Sequence, residues 1–336
     1  MTATFTLALP SKGAIAEPTD NFLRELGLKV SKPNPRQYVG LIRSIGVDVL
    51  FQRVRDIVYK VADGTAHLGI TGLDVVHENL SDDLIIIHDK LGYGHCKLVV
   101  AVPEAWVDVE GMADLAEVAL DFREKKGRNI RIATGYPRLA RQFLRQHHIV
   151  HFTLVKGEGA IEVAPTINHA DLVIDLTDTG TTLRENHLKQ IQGGTILESQ
   201  ACLIGNRAAL LSQPGLREKV RLIGEYIDAA QDGRQYLQIV ADIQGESAYH
   251  VAGKVSANPI THGLLGPTIA PIYTPKTHID DTSWHTVTIT VAQHELLDAV
   301  DHLRSIGARH VLASPIKYLF RDEQTTYQRM LSQLGL

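Results

Sequence analysis

The segment Asp171–Leu183 has the residue types and the order that a phosphate-binding loop requires. An apolar run ends at the acidic residue Asp175, and a polar turn then leads into a predicted helix. The turn consists of Thr177, Asp178, Thr179, Gly180, Thr181 and Thr182. Gly180 permits a left-handed turn, so that successive backbone N–H groups, together with the start of the helix, can surround an anion. The threonine hydroxyls can donate further hydrogen bonds, and we therefore predict a site for a ribose 5-phosphate.

The carboxylates of this loop would repel a phosphate group. They suit a ribose hydroxyl or Mg²⁺ instead. The loop is not a Walker A motif, because no lysine follows the glycine. The alternative interpretation of the same residues is a capping turn at a helix start that binds no ligand.

Three basic residues near predicted strand ends could bind phosphate groups. Lys12 lies beside Gly13 at a strand-to-helix turn, and Arg53 and Arg55 follow the predicted strand Val47–Phe51. The planar guanidinium group can pair with phosphate through two hydrogen bonds. Because the two arginines are two residues apart at a strand end, we expect only one of them to face a cleft. The alternative is that these cations are solvated or form surface ion pairs.

Strand and helix patterns alternate through the first two-thirds of the chain, which predicts an α/β fold with largely parallel sheets. In the second part of this region, strands are predicted at Lys97–Val102, Ile130–Ala133, Thr153–Val155, Leu172–Asp175 and Thr195–Ile204. The pair Asp232-Gly233 is the best linker candidate. The last hundred residues have the order β-α-β-β-α-β, which is typical of a ferredoxin-like or ACT-type domain.

The composition excludes several classes of protein. The chain has 336 residues and a formal net charge of −4, so it has no electrostatic basis for binding nucleic acid or an anionic membrane. Its two cysteines, Cys96 and Cys202, lie in apolar runs and are predicted to be buried thiols. The N-terminal residues do not resemble a secretory signal, and no apolar stretch is long enough for a membrane span. We therefore expect a cytoplasmic protein of two or three domains.

Seven segments, in order along the first two-thirds of the chain, resemble the ATP phosphoribosyltransferase family. They are Leu7–Gly13 (LALPSKG), Gln52–Asp56 (QRVRD), Leu68–Asp74 (LGITGLD), Ile132–Pro137 (IATGYP), Ile161–Pro165 (IEVAP), Asp175–Leu183 (DLTDTGTTL) and Glu198–Ile204 (ESQACLI). In the last hundred residues, Pro267–Pro271 (PTIAP) and Val311–Ile316 (VLASPI) continue the resemblance. The chain is identified as a member of this family, in its long form with a C-terminal regulatory domain.

The resemblance implies a two-lobed catalytic core like that of type II periplasmic binding proteins, followed by a C-terminal ferredoxin-like or ACT-type α+β domain. The chain would cross between the lobes near Cys96–Val100 and again near Glu198–Leu203. Residues 1–97 and 195–232 would form catalytic domain I, residues 98–194 catalytic domain II with the phosphoribosyl pyrophosphate loop, and residues 233–336 the regulatory domain. The active site would lie in the cleft between the lobes.

The resemblance also implies roles for individual residues. Arg53, Arg36 and Lys12 would act in catalysis. The two arginines would handle the departing pyrophosphate and ATP, and Lys12 could pair with pyrophosphate or a nucleotide phosphate. Phosphoribosyl pyrophosphate would be bound by Glu162, Asp175, Asp178, Thr179, Gly180, Thr181 and Thr182. ATP would be bound by Gly13, Arg55, Asp74 and Tyr136. The alternatives for the last two are a carboxylate at a helix start and a core tyrosine. Histidine would bind in the regulatory domain at Asp242, Thr268 and Ala313.

The implied reaction joins N1 of the adenine of ATP to C1 of the ribose and releases pyrophosphate, as the first step of histidine biosynthesis. N1 already carries a lone pair, so no strong general base is required, and positioning and charge stabilisation would dominate. Mg²⁺ would be held mainly by the phosphates of the substrate, rather than by a dedicated protein cluster. Histidine would act as a feedback inhibitor of a homo-oligomer, from dimer to hexamer.

Three alternatives stay open at this point. A two-lobed small-molecule binding protein without catalysis would share the architecture, but the threonine-rich loop and the missing secretory signal argue against it. A short-form catalytic subunit would need a separate regulatory partner, and the hundred residues after Gly233 argue against that. The last domain could also serve oligomerisation only, without binding histidine.

Overall fold

The computed structural model describes residues 5–32, 34, 37–157, 159–273 and 283–336. These residues form two compact units: the first comprises the described residues up to Val220 together with Gln328–Leu336, and the second comprises Arg221–Tyr327. The first unit contains a seven-stranded and a five-stranded sheet, which with their helices we call lobe one and lobe two; the second unit contains a four-stranded sheet. In the part of the chain that the structure describes, no helix is long and apolar enough to cross a membrane.

Lobe one begins with a series of βα units. Its first elements are β1 (Phe5–Pro10), α1 (Ala16–Glu25), β2 (Val30–Ser31), β3 (Val39–Ile42), β4 (Val47–Gln52), α2 (Val54–Ala62), β5 (Leu68–Gly72), α3 (Leu73–Glu78) and β6 (Leu84–His88). β1 lies between β4 and β5 and is parallel to both. Leu7 and Leu9 are buried because this central strand is covered on both faces. The three strands therefore end at one edge, where the turns that carry Lys12, Arg53 and Asp74 begin.

Lobe two has a similar plan. Its elements are β7 (Cys96–Pro103), α4 (Met112–Lys125), β8 (Ile130–Thr134), α5 (Pro137–Gln146), β9 (Phe152–Lys156), β10 (Leu172–Thr177), α6 (Thr181–Glu185) and β11 (Leu188–Ser199). The sheet has the order β11-β7-β10-β8-β9. Helix α4 packs Met112, Leu115, Ala119 and Phe122 into the core, at the three- and four-residue spacing of an amphipathic helix.

The chain then returns to lobe one through β12 (Ala201–Asn206), which is followed by α7 (Arg207–Ser212) and α8 (Pro214–Gly233). β12 inserts between β5 and β6 and is antiparallel to both. The complete sheet has the order β2-β3-β4-β1-β5-β12-β6. A strand returning from the other lobe thus lies between strands of the first βα units, which is the arrangement expected for the type II core.

Two expectations about the strands are wrong. The sheets are mixed rather than largely parallel. The pairs made by β7, β11 and β12, the strands next to the crossings between the lobes, are antiparallel, and so are the pairs β2–β3 and β3–β4. The run Thr195–Ile204 is not one strand: β11 ends at Ser199 in lobe two, and β12 begins at Ala201 in lobe one. Gln200 alone connects the two strands, and the sequence has neither glycine nor proline there to indicate the break.

The second unit contains a separate four-stranded sheet. Its elements are β13 (Tyr236–Gly245), α9 (Ala248–Ser256), β14 (Thr268–Pro271), β15 (Ser283–Ala292), α10 (Leu296–Ser305) and β16 (Arg309–Pro315), followed by α11 (Thr325–Leu334). The sheet order is β14-β15-β13-β16. Val251 and Val255 of α9 and Ala299 and Leu303 of α10 cover one face of the sheet. The ferredoxin-like order predicted from the sequence is confirmed.

The prediction of buried thiols is correct for one cysteine only. Cys202 in β12 is fully buried, whereas Cys96, the first residue of β7, is partly exposed, and both thiols are free. Cys96 follows the crossing from lobe one, where the strand is not yet covered on both faces. Burial still raises the pKa of the Cys96 thiol to about 11, so that it stays protonated at neutral pH.

A network of ion pairs fixes the start of β10 in lobe two. The Asp171 carboxylate accepts hydrogen bonds from the Arg128 guanidinium at 2.7 and 2.9 Å. It also accepts them from the Arg131 guanidinium at 3.1 and 3.3 Å and from the Arg131 backbone N–H at 2.7 Å. Burial would raise the pKa of Asp171, but these hydrogen bonds and positive charges hold it well below its usual range. The network ties β10, and the loop that follows it, to β8.

We expect Asp171→Ala to reduce the free energy of unfolding by about 1–2 kcal/mol, because several donors lose their common acceptor while Arg128 remains partly hydrated. The pKa of Asp171 is lowered in the folded state. Its contribution is therefore present above the unfolded pKa of about 4, and it is lost as the pH falls further towards the folded pKa. Urea denaturation at pH 7 and pH 3 measures both effects. Asp121→Ala, which removes the exposed partner of Lys125, is the control and should change stability little; equal losses in the two variants would contradict the assignment.

Candidate active site

A cleft of about 720 Å³ lies between the two lobes. Its lining includes Ile15, Arg55 and Asp74 from lobe one, His95 and Cys96 from the crossing into lobe two, and Tyr136, Thr177 and Asp178 from lobe two. The residues of the lobes all follow the carboxyl ends of strands, namely β1, β4, β5, β8 and β10. This is the edge at which open α/β sheets bind their ligands.

A buried hydrogen-bond network joins the lobes in this cleft. The Tyr136 hydroxyl donates to Asp74 Oδ2 at 2.6 Å, and the Ser199 hydroxyl donates to Asp74 Oδ1 at 2.7 Å. Ser199 Oγ also accepts the backbone N–H of Asp74 at 2.9 Å. Burial, followed by the neighbouring Asp74 charge, raises the pKa of Tyr136, so that its hydroxyl remains a donor at neutral pH. Two residues predicted to bind ATP, Asp74 and Tyr136, are thus bonded to each other between the lobes.

Sequence reasoning gave no role to Ser199. Ser199 is 5% exposed and lies at the end of β11, the strand that leads back to lobe one. Its hydroxyl donates a hydrogen bond to the Asp74 carboxylate. The one signal for it was its place in the segment Glu198–Ile204, which resembles the family. The contact itself joins residues 125 positions apart, so only the tertiary structure shows it.

Arg55 reaches from lobe one to lobe two. Its guanidinium carbon lies 5.1 Å from the centre of the Tyr136 ring, a cation–π distance. A Cβ atom at Gly135 would lie 2.5 Å from Nη2 of Arg55, so the glycine provides the space for the guanidinium. The positive charge of Arg55 also lowers the pKa of Asp175, which is otherwise raised. The Arg55 guanidinium of lobe one therefore lies near two residues of lobe two, Tyr136 after β8 and Asp175 in β10.

Of the three residues predicted to act in catalysis, two lie outside the lining of the cleft and one lies outside the described residues. Of the described residues, neither Lys12 nor Arg53 lines the 720 Å³ cleft. Arg53 is the exposed residue that precedes α2, and Lys12 is exposed in the turn after β1. Gly13 in the same turn has a φ of +94°, a backbone conformation that favours glycine. Arg36 lies outside the described residues, and all these roles stay predictions.

The loop after β10 has the left-handed turn expected for it. Gly180 has a φ of +76° and precedes the short helix α6. The N–H of Gly180 donates to the Thr177 hydroxyl at 3.0 Å, which closes the turn. Hydroxyl oxygens of Thr179 and Thr181 lie 2.9 Å apart, and Thr182 is exposed beside them. Several hydroxyls and the backbone of one turn therefore lie together after β10, where Thr177 and Asp178 line the cleft.

Asp175 has an unusual electrostatic environment. Burial raises the pKa of its carboxyl, a hydrogen bond from the Leu176 backbone lowers it, the negative charge of Glu162 raises it and the charge of Arg55 lowers it, so that the net pKa is about 6. Glu162 lies in a short 3₁₀ helix, Ile161–Val163. Within the described residues, no group of three or more His, Cys, Asp or Glu side chains could hold a metal ion. The charges of the two carboxylates therefore influence each other, and each can accept hydrogen bonds from hydroxyls.

The three residues predicted to bind histidine lie in the sheet of the second unit but on different faces. Asp242 of β13 pairs with Thr286 of β15, and Thr268 of β14 pairs with Thr288 of the same strand. Thr286 and Thr288 lie on one face of β15, and Asp242 and Thr268 therefore both lie on that face, opposite α9 and α10. Ala313 of β16 pairs with Ile239, whose side chain is part of the core on the other face. The structure therefore places two of the three residues on one surface, and their roles stay predictions.

Comparisons with known proteins identify the family. The family model "ATP phosphoribosyltransferase" matches residues 53–229, and the model "HisG, C-terminal domain" matches residues 234–318. The chain is 39% identical over 333 residues to ATP phosphoribosyltransferase 2, chloroplastic, of Arabidopsis thaliana, a match that covers 98% of this chain and 80% of that one. It is 35% identical over 334 residues to the ATP phosphoribosyltransferase of Bradyrhizobium sp. (strain ORS 278), covering 98% of both.

The chain belongs to the ATP phosphoribosyltransferase family. The ATP phosphoribosyl transferase (HisG:HisZ) complex from Thermotoga maritima shares the fold, with a TM-score of 0.52 and 23% identity over 67% of this chain and 96% of that chain. The family, its long form and the two-lobed fold class predicted from the sequence are confirmed. As a member of this family the chain is an enzyme, a pentosyltransferase whose reaction is the first step of histidine biosynthesis, as predicted.

We expect Gly135→Ala to lower kcat/KM for ATP by about 10- to 100-fold, because the added Cβ would displace the Arg55 guanidinium from its place against Tyr136. Stability should change less, since the displaced atom is the end of a flexible side chain. Steady-state kinetics and thermal unfolding measure the two effects. Gly253→Ala is the control, because no atom of the described residues lies within 4 Å of its added Cβ. Unchanged kinetics for Gly135→Ala would contradict the placement of Arg55.

Proposed function

We propose that the cleft between the lobes binds phosphoribosyl pyrophosphate from lobe two and ATP from lobe one, and that the phosphoribosyl group passes to N1 of the adenine there. The observation that carries this proposal is Arg55, which belongs to lobe one and lies against Tyr136 and near Asp175 of lobe two. We assign residues 1–97 and 195–232 to catalytic domain I, residues 98–194 to catalytic domain II, and residues 233–336 to a regulatory domain.

Phosphoribosyl pyrophosphate is assigned to the loop after β10. The hydroxyls of the loop threonines and the backbone N–H groups at the start of α6 bind the 5′-phosphate, and the left-handed turn at Gly180 brings these two sets of donors into one short loop. The loop residues concerned are Asp178, Thr179, Gly180, Thr181 and Thr182. Asp175 and Glu162 accept hydrogen bonds from the ribose hydroxyls. Burial is the main cause of the raised pKa of Asp175, and the charge of Glu162 also raises it, which supports assigning both carboxylates to one site.

ATP is assigned to the lobe-one side of the cleft. Arg55 pairs with its phosphates, while Gly13 lets the turn after β1 approach them closely. Tyr136 and Asp74 present a ring and a carboxylate to the adenine. Tyr136 is 4% exposed and its hydroxyl is engaged with Asp74, so only the part of its ring that lines the cleft can contact the base.

The proposed reaction is a substitution at C1 of the ribose. The lone pair of adenine N1 forms the new bond to C1, the bond from C1 to the pyrophosphate oxygen breaks, and its electrons leave with pyrophosphate. No proton has to be removed before N1 attacks. Lys12, Arg36 and Arg53 are assigned to stabilising the charge that develops on the departing pyrophosphate. Bringing the two substrates together in fixed positions supplies the rest of the rate acceleration.

We propose Mg²⁺ as the divalent cation, carried mainly by the phosphates of the substrate. Among the described residues no group of three or more His, Cys, Asp or Glu side chains could hold the ion alone, so Asp175 and Glu162 would supply only part of its ligands. A hard cation prefers oxygen ligands of this kind. When bound, Mg²⁺ would neutralise part of the charge on the pyrophosphate group.

Regulation and assembly are part of the proposal. The second unit is assigned to histidine binding, with Asp242 and Thr268 on one face of its sheet and Ala313 at β16. Inhibition requires histidine to bind one state of the enzyme better than another, for which a homo-oligomer between dimer and hexamer provides two states. We place the enzyme in the cytoplasm, and neither nucleic acid nor a membrane is proposed as a partner.

The central test mixes the purified protein with ATP, phosphoribosyl pyrophosphate and Mg²⁺ and follows the near-ultraviolet absorbance of N1-ribosylated adenine, with and without histidine. We expect product formation that histidine suppresses, and weaker suppression in Asp242→Asn. The control Asp298→Asn removes an exposed charge from α10 of the same unit. Product that histidine does not affect would leave the second unit with a role in assembly only. A folded protein that forms no product would favour a binding protein without catalysis.

We expect kcat/KM for phosphoribosyl pyrophosphate to fall as the pH decreases through about 6, since a protonated Asp175 accepts hydrogen bonds from the ribose poorly. The 5′-phosphate of the substrate titrates in the same range, with a second pKa of about 6. The limiting slope of log kcat/KM against pH should therefore be close to two in the unaltered enzyme and close to one in Asp175→Asn. Profiles measured between pH 5 and pH 8 with equal slopes would count against Asp175.

A further inference from the structure

Helix α5 in lobe two is capped by a carboxylate from lobe one. Oε1 of Glu78, the last residue of α3, accepts the backbone N–H of Arg138 at 2.8 Å. Its Oε2 accepts the backbone N–H of Leu139 at 3.0 Å. Arg138 and Leu139 are the second and third residues of α5, whose N–H groups have no partner within the helix. Glu78 thus supplies, from another lobe, the acceptors that an N-cap side chain normally supplies.

The side chain of Arg138 in α5 also donates hydrogen bonds to the end of α3. The Arg138 guanidinium donates from Nε to the backbone carbonyl of Glu78 at 3.1 Å, and from Nη2 to the carbonyl of His77. These carbonyls lie in the last turn of α3, where they have no helical partner of their own. The end of one helix and the start of another therefore satisfy each other between the lobes, and we call this pair of contacts the α3–α5 clasp.

Local sequence does not provide α5 with another cap. In the described chain, the side chain of its N-cap residue, Tyr136, makes no capping hydrogen bond, and the hydroxyl of Tyr136 is engaged with Asp74 instead. Pro137 at the first position has no N–H to satisfy. Moving the lobes apart would thus break two backbone hydrogen bonds to Glu78 and the Tyr136–Asp74 bond together, because all three involve the start of α5.

We propose that Glu78 is a positioning residue that sets the closure of the cleft through the α3–α5 clasp. It acts through Tyr136, whose place depends on the start of α5, and does not itself line the cleft. Without the clasp, the lobes are correctly placed in a smaller fraction of molecules. The apparent affinity for substrates is the intrinsic affinity multiplied by this fraction, and it therefore falls. Saturating substrates, which contact both lobes, restore closure. The inference rests on the proposed function for its kinetic readout.

The experiment compares Glu78→Ala with Asp114→Ala in the full-length protein. Asp114 is a matched control, because its Oδ2 accepts the N–H groups of Glu110 and Gly111 at 2.9 and 2.8 Å at the start of α4, within lobe two only. In Glu78→Ala we expect the KM values for both substrates to rise by about 3- to 30-fold, with kcat within about twofold. In Asp114→Ala the thermal midpoint should fall while both KM values stay unchanged. Glu78→Gln keeps an acceptor oxygen and should rescue part of the KM effect.

Hydrogen exchange at the start of α5 provides a readout that does not require activity. Amides of the segment 137–146 should exchange about tenfold faster in Glu78→Ala, and adding phosphoribosyl pyrophosphate, ATP and Mg²⁺ should restore protection. Unchanged exchange in Glu78→Ala would overturn the clasp, and faster exchange with unchanged KM values would overturn its role in closure. A comparable rise in KM for Asp114→Ala would reduce the effect to general destabilisation. An unaltered protein that is inactive but shows the expected exchange would refute the proposed function and not the clasp.

Discussion

A buried hydrogen bond of 2.6 Å joins the side chains of Tyr136 and Asp74. Tyr136 follows β8 in lobe two, and Asp74 lies in the first turn of the helix after β5 in lobe one, so the bond fixes the distance between these two strand ends. Ser199 holds the second oxygen of the Asp74 carboxylate from the end of β11. In a site of low dielectric, such a fully bonded network is strong and an incomplete one is costly. The positions of Arg55 and of the loop after β10 relative to each other depend on this network, because only short segments connect the lobes covalently.

The electrostatics of the cleft follow from the need to bind anions to a chain with a net charge of −4. In the proposed function, the anions are held by the turn after β10, with its hydroxyls and backbone, and by an arginine that lies against an aromatic ring. Burial raises the pKa of Asp175 beside them to about 6, because the buried carboxylate loses part of the hydration that stabilises its charge.

The second unit has its own hydrophobic core and a sheet with only one covered face. The ferredoxin-like order brings the outer strands β14 and β16 to opposite edges of the sheet, and α9 and α10 cover one face only. Polar residues of β13, β14 and β15 occupy the other face. A small module with one covered face can bind a metabolite or a second copy of itself on the other, which agrees with the regulatory role proposed for this part of the chain.

The sequence by itself determined most strands and helices, because apolar periodicity and turn residues are local signals. The resemblance of seven segments to a known family indicated the family and, with it, the reaction. The sequence also indicated that only one of Arg53 and Arg55 would face a cleft. It could not indicate that Arg55 is that residue, that Gly135 makes room for it, or that Gln200 separates two strands of different sheets. The contacts of Asp74 with Tyr136 and Ser199, and of Glu78 with α5, join residues 60 to 125 positions apart. Such contacts depend on how two sheets are placed against each other, and this placement is decided only by packing in three dimensions.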